Sequence, residues 1–71
     1  MSIKRKRFEK VAIKRVEIIL KTLDLLANCS NPYNYEYEKE DVDKIFRAIN
    51  ERAKLSHLTF KKDLKTTKFK L

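Results

Sequence analysis

The chain contains no glycine and a single proline, and its turn-forming residues are concentrated in one stretch, residues 28–37. This stretch holds three Asn, one Ser, the proline and three Tyr. On both sides of it, apolar residues recur with the period of an α-helix. The sequence therefore predicts an all-α protein with a helix over 8–27, a connector over 28–37 and a helix over 38–56, folded as a two-helix antiparallel hairpin.

The two predicted helices differ in how much apolar surface they carry. In the first, apolar residues cover an arc of about 240° at about 100° per residue, whereas those of the second form a stripe only about 100° wide. One neighbouring helix covers the stripe but not the arc, and a chain of 71 residues has a marginal core of its own. We therefore expect the rest of the arc to be covered by the C-terminal residues 57–71 or by another chain, through dimerisation or a larger protein partner. The expected partner interface consists of Ile13, Ile18, Leu20, Leu25, Tyr33 and Tyr35.

The net charge of +8 is unevenly distributed. Residues 1–15 hold seven Lys or Arg and one acid, a charge of +6, and residues 54–71 hold six Lys and one acid, a charge of +5. Residues 16–53 hold five basic and eight acidic residues, a charge of −3. An antiparallel hairpin would bring both basic segments to one end, so we expect an electrically bipolar molecule.

The two basic ends are predicted to be an arm, 1–7, and a tail, 57–71. Consecutive cations at a helix start oppose the helix dipole, so we expect the arm to be frayed or outside the helix. The tail suits a helical turn at Phe60 and Leu64 but alternates like a strand over 66–71. Both segments fit either phosphate contact or plain solvated charge. The candidate contacts to nucleic acid are Lys4, Arg5, Lys6, Arg7, Lys10, Lys14, Lys61, Lys62, Lys65, Lys68 and Lys70.

Three tyrosines, Tyr33, Tyr35 and Tyr37, alternate along the connector, which places their rings on one side if the segment is extended. Stacking on unpaired bases is one interpretation. We favour the other, in which one or two rings cover the end of a helical core, because nearby glutamates would repel phosphates.

The connector and its flanks also resemble a known family. The shared pattern is Arg7-Phe8, Asn28-Cys-Ser-Asn31, Asn34-Tyr-Glu-Tyr37, Glu40-Asp-Val42, Lys44-Ile-Phe46 and Ala48-Ile49. It is similar to a family of short uncharacterised bacterial proteins, often encoded on plasmids and integrating elements, and it covers roughly residues 7–53. The resemblance implies a mobile-element setting and no particular activity. Members often carry Thr where this chain has Glu38, and a Thr there would cap the second helix.

The sequence offers little for catalysis. Cys29 and His57 are the only thiol and the only imidazole, and the predicted second helix separates them by about 25 to 30 Å. We therefore predict no enzyme, no metal site and no cofactor, and we expect Cys29 to be a small buried residue. The lack of glycine argues against phosphate-cradling loops. With no apolar run of about 18 residues and a single cysteine, we expect a cytoplasmic protein that does not enter a membrane.

Two classes of function remain. The first is a small nucleic-acid-binding accessory or regulatory protein that contacts the phosphate backbone of DNA or RNA with low sequence specificity. The second is a protein-interaction module, a subunit or inhibitor, that docks on a larger protein through helix one or the Tyr-rich connector. The sequence does not choose between DNA and RNA.

Overall fold

The computed structural model describes the backbone of residues 2–68 and the side chains of residues 2–64. Two helices account for most of it: α1, Ile3–Ala27, and α2, Lys39–Lys68. A short 3₁₀ turn, Asn28–Ser30, follows α1 directly. The predicted all-α class is confirmed, and so is the order of helix, connector and helix.

Helix α1 begins five residues earlier than predicted, so the expectation of an arm outside the helix is wrong. Ser2 is the N-cap, and its Oγ accepts a hydrogen bond from the backbone N–H of Arg5 at 3.0 Å. Arg5 also forms an i,i+4 ion pair with Glu9 at 3.3 Å and lies over the ring of Phe8. These local interactions offset the unfavourable dipole, because one side-chain cap alone contributes about 1 kcal/mol.

The connector is held by Asn31. Its backbone is extended, with φ −67° and ψ 110°, as expected of a residue that precedes proline. The side-chain Oδ1 of Asn31 accepts from the N–H of Tyr33 at 3.0 Å, and its carbonyl accepts from Asn34 and Tyr35 at 3.2 and 3.0 Å. Asn28 caps α1 as predicted, but in the right-handed conformation and not the left-handed one. The chain thus continues into the 3₁₀ turn before it leaves the helix.

Helix α2 begins at Lys39, one residue later than predicted, with Glu38 in the N-cap position. The N–H of Glu38 donates to Oδ2 of Asp41 at 2.9 Å, which is one half of a capping box. Lys39 and Asp43 form an i,i+4 ion pair at 2.7 Å. The start of α2 is therefore set by side chains of its own first turn.

This half-formed capping box gives a prediction about stability. Asp41→Ala removes the acceptor for the Glu38 N–H, so we expect the free energy of unfolding to fall by about 1 kcal/mol. Glu38→Thr supplies the missing half, since a Thr hydroxyl can accept from the Asp41 N–H, and should raise it by about 0.5 kcal/mol. Urea unfolding followed by circular dichroism measures both. Changes of the same sign in the two variants would contradict this account of the helix start.

Helix α2 continues to Lys68, twelve residues beyond its predicted end, so the tail is not a separate segment. Residues 57–68 contain neither Gly nor Pro, and the hydroxyl of Thr59 bonds back to the carbonyl of Leu55 at 3.1 Å. The strand-like alternation expected over 66–71 is wrong for residues 66–68, which are helical. Its remaining part, 69–71, lies outside the described residues.

The chain divides into two units, Met1–Glu36 with α1 and Tyr37–Leu71 with α2. None of the side chains described in either unit is buried. In the first unit, Ala12, Leu23 and Leu26 are half-buried along one line of α1, and in the second Val42 and Ile49 are half-buried along α2. The antiparallel pairing of the helices and the bipolar charge that depends on it stay predictions.

Candidate nucleic-acid interface

The extension of α1 places cations in a regular row on its surface. Lys6, Lys10 and Lys14 follow one another at four-residue intervals and are all exposed. Each interval advances about 6 Å along the helix and turns about 40° around it, so the three ammonium groups share one side. We call these three residues the basic row. Glu17 occupies the same side one turn later, so the row ends at Lys14.

The four consecutive cations of the predicted arm do not act as one cluster. Successive residues of a helix are about 100° apart, which places Lys4 about 160° from Lys6. Arg5 is engaged by Glu9 and Phe8. Arg7 lies about 60° from Lys10 and extends the basic row on one side. Of the predicted arm residues, therefore, the helix brings Lys6 and Arg7 together with Lys10 and Lys14. Lys4 lies about 60° beyond Arg7, on the side away from Lys6, and Arg5 lies on the opposite flank of the row.

A second group of lysines lies on α2. Lys61 and Lys62 are exposed, and the backbone of Lys65 and Lys68 continues the same helix. Lys70 lies outside the described residues. Lys54, which was not among the predicted contacts, shares a side of α2 with Lys61, seven residues further along. The seven-residue spacing from Lys54 to Lys61 could have indicated this contact from the sequence. It places the two lysines on one side only because α2 continues past residue 56.

The predicted partner interface on α1 is exposed and falls into two rows. Ile13 and Leu20 form one row and Ile18 and Leu25 the other, each with a seven-residue spacing, and all four side chains are between 56% and 58% exposed. The line of Ala12, Leu23 and Leu26 runs between the two rows. The apolar surface of α1 is therefore wide enough for neighbours on more than one side, as the 240° arc predicted.

The tyrosines have different surroundings. Tyr33 is 95% exposed at the tip of the turn that Asn31 holds, so it is not one of the one or two rings that the favoured interpretation places over the end of a helical core. Tyr35 and Tyr37 are 50% and 43% exposed, and a covering role for them stays a prediction. The ring of Tyr33 is carried by an ordered backbone and presented to solvent.

Other features of the described residues bear on chemistry. Cys29 is exposed, so the expectation that it is buried is wrong; the 3₁₀ turn that carries it lies on the surface. Within the described residues, no group of three or more His, Cys, Asp or Glu side chains is placed to hold a metal ion. A shallow groove lies along each helix, one beside Lys6 and Lys10 and one beside Phe46. In the same part of the chain, neither helix is long and apolar enough to cross a bilayer.

Comparison of the sequence with models of known protein families finds no match, and searches of the curated proteins and of the solved structures find no related chain either. The resemblance to short bacterial proteins from mobile elements therefore stays a prediction.

Proposed function

We propose that this chain is a small, non-enzymatic nucleic-acid-binding accessory or regulatory protein, of a bacterial mobile element, that binds the phosphate backbone. The observation that supports this function best is the basic row, Lys6, Lys10 and Lys14, with Arg7 beside it on one exposed side of α1. The positive end of the α1 dipole lies at the first turn and adds to the positive potential of these cations. The first turn contains no acidic residue that would neutralise it.

The mode of binding follows from the types of residue in the row. Lysine is a compact point charge, and phosphate contacts through it release counterions from the nucleic acid. Such contacts position a protein on the backbone but do not read the bases. The basic row lacks the Asn and Gln side chains that read adenine. We therefore propose binding with low sequence specificity and a strong dependence on salt, with the lysines of α2 as further contacts.

A second candidate function rests on a different observation. Tyr33 is almost fully exposed on a hydrogen-bonded turn, and exposed aromatic side chains on ordered backbone are typical anchors at protein interfaces. With the exposed apolar rows of α1, this favours a module that docks on a larger protein. Tyr33→Ala separates the two functions, since it should weaken a protein complex but leave backbone binding to nucleic acid unchanged.

Fluorescence anisotropy with the full chain tests the proposed function. A labelled duplex and a single strand of equal length are titrated at about 50 and about 200 mM salt. Three or four phosphate contacts on a duplex predict a salt slope of about −2.7 to −3.6, which is a loss of affinity of about 40- to 150-fold over this range. Absence of binding at the lower salt, or binding that salt does not weaken, would contradict the proposal.

A further inference from the structure

The first half of α2 carries a narrow apolar seam. Val42, Phe46, Ile49 and Ala53 follow one another at spacings of four, three and four residues, the alternation that packs one helix against one other. Val42 and Ile49 are half-buried, and Phe46 is 43% exposed. We call these four residues the α2 seam. Its width suits a single neighbouring helix.

The α2 seam is symmetric about its own centre, between Arg47 and Ala48. Val42 and Ala53 are equally far from this point, and so are Phe46 and Ile49. When two identical helices pack antiparallel about it, Val42 of each copy meets Ala53 of the other, and Phe46 meets Ile49. A large side chain then faces a smaller one in every layer, and the same patch serves both copies, as a two-fold interface requires.

The charged residues beside the seam are also arranged symmetrically about its centre, with acidic residues on one side of the centre and basic residues on the other. Asp41 and Asp43 lie before it, and Arg52 and Lys54 lie eleven residues after them. In the antiparallel register, Asp43 of each copy lies beside Lys54 of the other, and Asp41 lies beside Arg52 on the opposite flank.

Parallel packing of the same two helices has no such complementarity. It would place Asp43 of each copy beside Asp41 of the other and Lys54 beside Arg52, and like charges across an interface are unfavourable. In the antiparallel register, one pair of like charges lies near the two-fold axis. It is formed by Arg47 of the two copies, whose side chains lie outside the seam.

We propose that a second copy of this chain, in place of α1 of the same chain, packs antiparallel on the α2 seam, with Val42 against Ala53 and Phe46 against Ile49. The interface is formed by α2 alone and does not depend on nucleic-acid binding. Its orientation is set by the charges that flank the seam, and the apolar side chains of the seam supply the contact.

Disulfide trapping tests the register. In full-length chains with Cys29→Ser, one chain carries Val42→Cys and another carries Ala53→Cys. The two chains differ in mass, so intact-mass spectrometry identifies each cross-linked dimer after mild oxidation of the mixture. We expect the mixed dimer to predominate, because in the antiparallel register two copies of position 42 are about 16 Å apart. Predominance of homodimers, statistical mixing or absence of cross-links would overturn the proposal.

Charge reversal tests the orientation in solution. Asp43→Lys or Lys54→Glu alone should weaken self-association about tenfold, because each places like charges face to face. An equimolar mixture of the two variants should restore association to within about twofold of the natural chain, since the two replaced side chains then face each other with opposite charges. Sedimentation equilibrium measures the association.

Glu51→Lys and Lys44→Glu are the matched controls for charge reversal, because they lie on the outer side of α2. Each changes the net charge by the same amount as one of the test variants and should leave self-association within about twofold of the natural chain. No recovery in the mixture of test variants, or equal loss in the controls, would overturn the proposal.

Discussion

Replacing the basic row by glutamine, with Lys6→Gln, Lys10→Gln and Lys14→Gln in one chain, should reduce affinity for a short duplex by roughly two orders of magnitude at about 200 mM salt. The salt slope should fall by about 2.7, because each lost phosphate contact removes about 0.9 from it. Glutamine has nearly the helix propensity of lysine, so α1 should keep its helicity by circular dichroism. Fluorescence anisotropy over a salt series gives both quantities.

A second triple variant controls for net charge. Lys39→Gln, Lys44→Gln and Arg47→Gln remove the same charge from the first half of α2, where acidic residues surround these cations. We expect an affinity change of less than about threefold, since the acidic residues of this part of the chain offset the attraction of these cations for phosphates. If the two triple variants lose affinity equally, net charge and not the basic row carries the binding, and the proposed interface on α1 is wrong.

The sequence was sufficient to predict where the two helices meet the connector. The concentration of Asn, Pro and Tyr in residues 28–37 marks a break that no other stretch of the chain offers. Asn31 shows why this prediction works: the proline that follows it restricts its backbone, and its side chain bonds within the turn. Both effects act over three residues, so they can be read from local sequence alone.

The outer ends of the helices were harder to predict, because several weak effects compete there. At the start of α1, repulsion between cations and the dipole opposes the Ser2 cap and the Arg5–Glu9 pair, each worth about 1 kcal/mol or less. In α2, Ser56 and His57 interrupt the apolar stripe near the predicted end, but Phe60 and Leu64 resume it on the same side. An interruption is not a stop signal when neither Gly nor Pro follows it.

The candidate site depended directly on these helix ends. A list of eleven cations could be written from the sequence, but their grouping required the path of the backbone. Only when Lys6 lies in the same helix as Lys10 and Lys14 do the three form a row, and the same extension places Lys4 on another side of α1. The exposure of Tyr33 was also beyond sequence reasoning, since it depends on the turn around Asn31.

The absence of any buried side chain among those described leads to the second large effect, a stability that depends on protein concentration. Helices in water gain most of their stability from packing an apolar face, and α1 exposes Ile18, Leu20 and Leu25 by more than half. If association covers these residues, raising the concentration from about 5 to about 500 μM should raise the thermal midpoint by about 10 °C for a dimer of this size. Circular dichroism at the two concentrations measures the shift.

A matched pair of variants identifies the surface responsible. Leu20→Asp places a charge in an exposed apolar row of α1 and should lower the midpoint and reduce its concentration dependence to the part that the α2 seam supplies, because an unpaired carboxylate would be buried on association. Lys21→Asp introduces the same residue one position later, on the polar side of α1, and should leave the concentration dependence in place. A midpoint that is equally high at both concentrations in the natural chain would mean that the two helices bury these residues against each other within a single molecule. In that case α1 would cover the α2 seam, which suits a single neighbouring helix, and the proposed packing of a second copy on that seam would be excluded.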